Sequence, residues 1–161
     1  MAIHDLSAQL WHERELLDLL TFKLEEEQLL LTAGKTRWIS HATREVEQVL
    51  ERLSAAGLAR AVTAAAVAAE WGLPEEATLR ELAAGAPEEG PWSEILAAHL
   101  NALTEQTAVI RHLRDANAQF LRAASRSTQE TLADVTSMAK TYDARGRAAG
   151  ANESRLFARD L

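Results

Sequence analysis

The sequence predicts an all-α protein, an antiparallel bundle of about four helices with a long C-terminal helix and a short tail. Alanine, leucine, glutamate and arginine dominate the 161 residues, and this mixture favours helix over strand. Leucine or isoleucine recurs every seven residues from Ile3 to Leu31, which is typical of a helical seam. Residues 92–138 contain neither proline nor glycine, so they can form one helix about 70 Å long.

Composition and charge limit the classes of function. Hydrophobic residues make up 47% of the chain and charged residues 25%, as in ordinary globular domains. The net charge of −7 disfavours nucleic acid and anionic lipid as partners. No cysteine is present, so thiol chemistry is excluded. No apolar run approaches the length of a membrane span, and the N-terminus lacks the features of a secretory signal. We therefore expect a soluble cytoplasmic protein without membrane insertion.

Residues 3–33 are predicted to form the first long helix, with Glu13 and Glu27 interrupting its apolar seam. The pattern resumes one residue out of phase at Ile39, which places Gly34 in a turn. One bent continuous helix is the alternative, because a glycine costs only about 1 kcal/mol relative to alanine in a helix. The seam consists of Ile3, Leu6, Leu10, Leu17, Leu20, Leu24 and Leu31.

The rest of the bundle is predicted from its helix-stopping residues. A second helix over residues 37–56 should end at Gly57, and an alanine-rich helix over residues 58–71 should follow. The capping box that begins at Thr78 predicts a short helix to Ala84. Glycines and prolines then lead to Pro91 and the last long helix. We assign residues 1–139 to the helical domain and residues 140–161 to a tail.

Two motifs suggest chemistry, but neither is complete. Gly34-Lys35-Thr36 ends like a phosphate-binding loop, but Leu29 stands where that loop needs its first glycine, and no strand precedes it. The histidines at 41, 99 and 112 raise the possibility of a phosphotransfer bundle, yet none is followed by a Lys-Gly pair. The simpler interpretation is that these histidines are exposed or partly packed and carry no chemistry. Residues 25–27 are interpreted as a solvated glutamate face, and no metal, cofactor or catalytic residue is predicted.

Unequal helix lengths predict an uncovered surface near the C-terminus. The first helix is about 46 Å long and the last about 70 Å, which leaves about 15 residues of the last helix without a neighbour. If this excess lies at its C-terminal end, one face there is free to bind a partner helix. The alternative is that the second helix or a second copy covers this face. We call the face the apolar strip, and its residues are Leu121, Ala124, Thr128, Leu132, Val135 and Met138.

Asn117 lies on the apolar seam of the last helix, seven residues after Ile110. A buried amide at such a position fixes the register of neighbouring helices at some cost in stability. We predict this structural role for Asn117, and direct contact with a partner is the alternative.

The chain resembles the FlgN family of flagellar export chaperones, in the form seen in actinobacteria, over nearly its full length. The resemblance rests on several short motifs in a fixed order. They are Leu16-Leu17-Asp18-Leu19-Leu20, Gly34-Lys35-Thr36-Arg37-Trp38-Ile39, Ala42-Thr43-Arg44-Glu45-Val46, Gly72-Leu73-Pro74, Leu79-Arg80-Glu81-Leu82-Ala83, Asn117 and Tyr142-Asp143-Ala144-Arg145-Gly146.

The resemblance implies a cytoplasmic chaperone without enzymatic activity. Such proteins bind the hook–filament junction proteins FlgK and FlgL, prevent their premature assembly and deliver them to the type III export gate. It further implies that the C-terminal helical region binds the client and that Tyr142 contacts the export gate. The alternative is a non-enzymatic helical adaptor or regulatory bundle with other protein partners. Oligomeric state is left open.

Overall fold

The computed structural model describes residues 1–141, and within that range all regular structure is helical, which confirms the predicted fold class. The helices are α1 (Ala2–Thr32), α2 (Thr36–Glu70), α3 (Leu79–Ala84) and α4 (Trp92–Thr141). Met1–Ala118 form one compact unit, and a second begins at Gln119.

Side-chain contacts in the first unit define the direction of its helices. Arg60 of α2 binds Glu13 of α1, and Glu45 of α2 binds Lys23, so α2 runs antiparallel to α1. Three hydrogen bonds join residues of α4 to residues of α1 that lie 92 or 93 positions earlier in the sequence. Because residue numbers rise together along both helices, α4 runs parallel to α1. Short α3 packs at the end of the unit where α1 begins.

Two of the turns are built alike around a glycine. Gly34 has φ 67° and Gly72 has φ 69°, a left-handed conformation that favours glycine. After α1, the amides of Gly34 and Lys35 donate to carbonyl oxygens of the preceding helical turn, which is the Schellman arrangement. The same two bonds follow α2 at Gly72 and Leu73. The predicted turn at Gly34 is therefore confirmed.

The prediction that a helix ends at Gly57 is wrong. Gly57 lies inside the 35 residues of α2, so the predicted helices over 37–56 and 58–71 are one helix. Buried Val49 precedes Gly57 and buried Val67 follows it, and both sit in cores shared with α1. Packing on both sides carries the helix through a glycine, whose cost is only about 1 kcal/mol.

Alanine substitutions at Gly57 and Gly34 should change the free energy of unfolding in opposite directions. Gly57→Ala should raise the free energy of unfolding by about 0.5–1 kcal/mol, because a Cβ there meets no atom within 4 Å. Gly34→Ala should lower it by about 1–2 kcal/mol, because alanine must adopt a positive φ. Urea unfolding followed by circular dichroism measures both changes. Stabilisation by Gly34→Ala would contradict the assigned turn.

The helix α2 is also apolar enough over an 18-residue window to cross a membrane by length and composition alone. This differs from the expectation that no segment approaches a span. The mean hydropathy of the window is 1.2, and alanine is the commonest residue of this helix. Because α2 also contributes Val46, Val49 and Val67 to the cores with α1, we interpret it as a bundle helix.

The apolar core lies in two clusters along α1. Near its start, the first cluster includes Leu6 and Leu10, with Leu82 of α3 and Leu96 of α4. The second, nearer its end, includes Leu20, Leu24, Val46 and Val49, with Ile110 and Leu113 packed against it. Five of the seven predicted seam residues therefore lie in these clusters. Leu17 and Leu31 are only half-buried, and Leu16 is buried in place of Leu17.

Two acidic residues interrupt the seam and are nevertheless buried. Glu13 accepts a hydrogen bond from Nε of Arg60 at 2.7 Å. Glu27 accepts from the hydroxyl of Thr43 at 2.9 Å. The prediction that residues 25–27 form a solvated face is therefore wrong for Glu27, which is buried. Buried carboxylates need such partners because desolvation is costly.

His99 is also buried, which corrects the prediction that the histidines are exposed or partly packed. Nη1 of Arg14 lies 3.5 Å from its Nδ1, and Oγ of Ser7 lies 3.5 Å from its Nε2. A guanidinium only donates, so we assign Nδ1 as the acceptor and place the proton on Nε2. Burial, and then the positive charge of Arg14, lower the pKa of His99.

This pKa shift predicts acid sensitivity. In the unfolded chain His99 titrates near its usual pKa of about 6.5. In the folded chain its pKa is lower, so below about pH 6.5 the unfolded state binds more protons and stability falls. Urea midpoints between about pH 7.5 and 5.5 should decline less steeply for His99→Gln than for the original chain. An unchanged slope in His99→Gln would contradict this assignment.

Candidate functional site

The C-terminal half of α4 exposes large apolar side chains. Leu132 is 60% exposed, Val135 57% and Met138 67%. Every side chain from Ser125 to Ala139 is exposed. These three residues belong to the apolar strip and follow one another at three-residue steps along one side of the helix.

The strip is separated from the charged residues of the same helix segment. At about 100° per residue, its six residues span about 120° of the helix surface. Two arginines and two acidic residues lie on the opposite side, so their formal charges balance. They are Arg122, Arg126, Glu130 and Asp134. The segment is thus amphipathic, although its apolar side faces solvent rather than a core.

The threonines of this segment do not present free hydroxyl groups. The hydroxyls of Thr128, Thr131 and Thr136 donate to the carbonyl oxygens four residues earlier, at 3.0, 2.9 and 2.7 Å. A partner that buried Thr128 within the strip would therefore leave its hydroxyl hydrogen-bonded. This arrangement reduces the cost of covering a strip that contains a polar residue.

The N-terminal end of the strip is less open. Leu121 and Ala124 are half-buried, whereas Thr128 and the residues after it are exposed. The predicted strip does not include Phe120, which is 41% exposed. Phe120 lies four residues before Ala124, on the same side of the helix, so its spacing could have identified it.

Asn117 belongs to the first unit, where its side chain joins α4 to α1. Its Nδ2 donates to the carbonyl oxygen of Leu24 at 2.8 Å and to Oε1 of Glu27 at 3.1 Å. Glu27 also accepts from Thr43, so one buried group of polar side chains links α1, α2 and α4. Slipping α4 by one residue would break these bonds and leave buried polar atoms without partners. This geometry suits a register-fixing role.

The remaining predictions concern the export-gate contact, metal ligands and a phosphate-binding loop. Tyr142 lies outside the described residues. Within residues 1–141, no group of three or more metal-ligating side chains comes together. The helix turn at Gly34 has no strand before it, as a phosphate-binding loop would require.

The fold defines the class of this protein as a helical bundle whose last helix exposes large apolar side chains. A model of the family described as FlgN protein matches residues 1–150, and the chain therefore belongs to the FlgN family. No curated protein and no solved structure matches it. Membership makes it a flagellar export chaperone from a non-enzymatic family, with flagellar hook-associated proteins as the general class of partner.

Proposed function

We propose that this chaperone binds FlgK and FlgL through the apolar strip of α4. The observation that carries the proposal is the exposure of Leu132, Val135 and Met138 on one side of a helix whose charges lie on the other. A client helix laid along the strip would cover them in the helix-on-helix mode. Covering the client's own apolar helix prevents it from assembling or aggregating before export.

The strip suits reversible binding. Burying each of its three large apolar side chains is worth roughly 1.5–3 kcal/mol. Association itself costs an estimated 4–15 kcal/mol. The three residues together supply about 4.5–9 kcal/mol, which is comparable to that cost, so the net affinity depends on the further contacts of the client. A methionine at the end of the strip adapts to surfaces of different shape, which fits a chaperone with two clients.

Delivery to the export gate forms the second half of the proposed function. The chaperone holds its client in the cytoplasm and presents it at the export apparatus. Tyr142 is our candidate for the contact with the gate, and it follows directly after α4 (Trp92–Thr141). A Tyr142→Ala variant should keep its client affinity and lose binding to the gate.

Calorimetric titration tests the client assignment. Purified FlgK and FlgL from the same cell should each bind the full chain saturably, and flagellin from that cell should bind at least about tenfold more weakly. Failure of both junction proteins to bind would overturn the proposal. Saturable binding of an unrelated protein in their place would favour a general helical adaptor.

A further inference from the structure

A second apolar surface lies on α1, on the side that faces away from its core. It is a groove of about 340 Å³. Phe22 is 56% exposed and Leu29 69%. We call it the α1 groove, and its lining residues are Phe22, Glu25, Glu26, Leu29 and Leu30.

The fold does not need these side chains for its core. Leu20 and Leu24 of the same helix are buried against α2, and they point about 180° away from Phe22 and Leu29. Single exposed apolar residues are common on protein surfaces. Phe22 and Leu29 are not scattered in this way, because they are two turns apart on one side of α1 and line the same concave surface.

Charge around the groove selects its occupant. Glu25 and Glu26 line it, and Asp18 lies one turn before Phe22 on the same side of α1. Lys23 lies over the ring of Phe22 at 5.4 Å and is paired with Glu45 of α2 at 2.8 Å and with Glu26 at 3.6 Å. This one cation does not balance the carboxylates of Asp18, Glu25, Glu26 and Glu45, so negative charge remains in excess. The groove therefore attracts apolar groups that are accompanied by positive charge.

The same charges disfavour two other occupants. A second copy that used the same face would bring like-charged glutamates together across a twofold axis. An anionic lipid surface would be repelled. We propose that the α1 groove binds an amphipathic helix of a partner protein that carries lysine or arginine beside its apolar residues. This binding is separate from the client binding assigned to the apolar strip.

The size of the groove agrees with such a ligand. Its volume of about 340 Å³ lies at the lower end of the range of about 300–1,000 Å³ for small-ligand pockets. That volume suits a few side chains from adjacent turns of a helix, with the rest of the helix lying along α1.

Fluorescence anisotropy with a designed probe tests this proposal on the full chain. The probe is a fluorescein-labelled peptide of about 18 residues, with leucines at helical spacing flanked by lysines. Phe22→Ser with Leu29→Ser should weaken its binding at least tenfold. Glu25→Gln with Glu26→Gln should weaken it several-fold and reduce its dependence on salt concentration. A peptide with glutamates in place of the lysines should bind at least tenfold more weakly.

The matched control is Leu58→Ser with Val62→Ser on α2, where both side chains are similarly exposed, and it should bind the probe normally. Equal affinity for the lysine and glutamate peptides would overturn the proposal, as would an equal loss in the α2 control. Probe binding that is lost only in Leu132→Asp with Val135→Asp would assign the peptide to the strip and also overturn it. A dimer, detected by sedimentation and disrupted by the groove substitutions, would identify a second copy as the occupant instead.

Discussion

Replacing Leu132 and Val135 together with aspartate should reduce the affinity for FlgK and FlgL by at least about 100-fold. Each substitution removes an exposed apolar group from the proposed interface and places a charge there that would have to be desolvated. Because neither side chain contributes to a described core, helicity and the melting temperature should change little. Calorimetric titration and circular dichroism measure the two quantities.

The matched control places the same added charge on the opposite side of the same helix. Gln129→Asp with Ala133→Asp changes two exposed positions about 100° or more from the centre of the strip. Its client affinity should stay within about threefold of that of the original chain, apart from a long-range effect of net charge that salt screens. Unchanged affinity in the strip variant, or an equal loss in the control, would contradict the assignment of the strip.

Leu6→Ala should lower the free energy of unfolding by about 2–5 kcal/mol. Leu6 is fully buried in the cluster that joins α1, α2, α3 and α4, so its truncation leaves a cavity that neighbouring side chains fill only in part. Leu58→Ala removes the same atoms from a site that is 71% exposed and should change the free energy by less than about 0.5 kcal/mol. Urea unfolding measures both.

These two pairs of variants separate folding from binding. At a temperature where Leu6→Ala is still folded, its client affinity should match that of the original chain, because the strip itself is unchanged. Similar stability of Leu6→Ala and Leu58→Ala would show that the first core cluster is assigned incorrectly.

Local features of the fold could be predicted from the sequence because their causes are local. The heptad leucines of α1 describe one face of one helix. The capping box at Thr78 uses residues only three positions apart, and both of its hydrogen bonds are present. The break at Gly34 was visible as a change of phase. Gly57, a glycine followed by an apolar residue, also predicted a helix end, but it lies within α2 because packing on both sides continues the helix.

Burial of polar side chains could not be predicted, because it depends on partners far away in the sequence. Glu27 is buried by Thr43 and Asn117, which lie 16 and 90 residues away. His99 is buried beside Ser7, 92 residues earlier. The periodic pattern of α4 likewise predicted which residues share a face. It could not say where along the helix that face is covered, since buried and exposed amphipathic segments have the same spacing.

Amide hydrogen exchange of the chaperone, alone and with saturating FlgK or FlgL, tests the central claim most directly. Client binding should slow exchange in residues 124–139 of α4, where every side chain from Ser125 onward is exposed. Exchange in the core segment around Leu20 and Leu24 should change little. A saturated complex whose exchange in residues 124–139 is the same as in the free protein would contradict the assignment of the apolar strip as the client site.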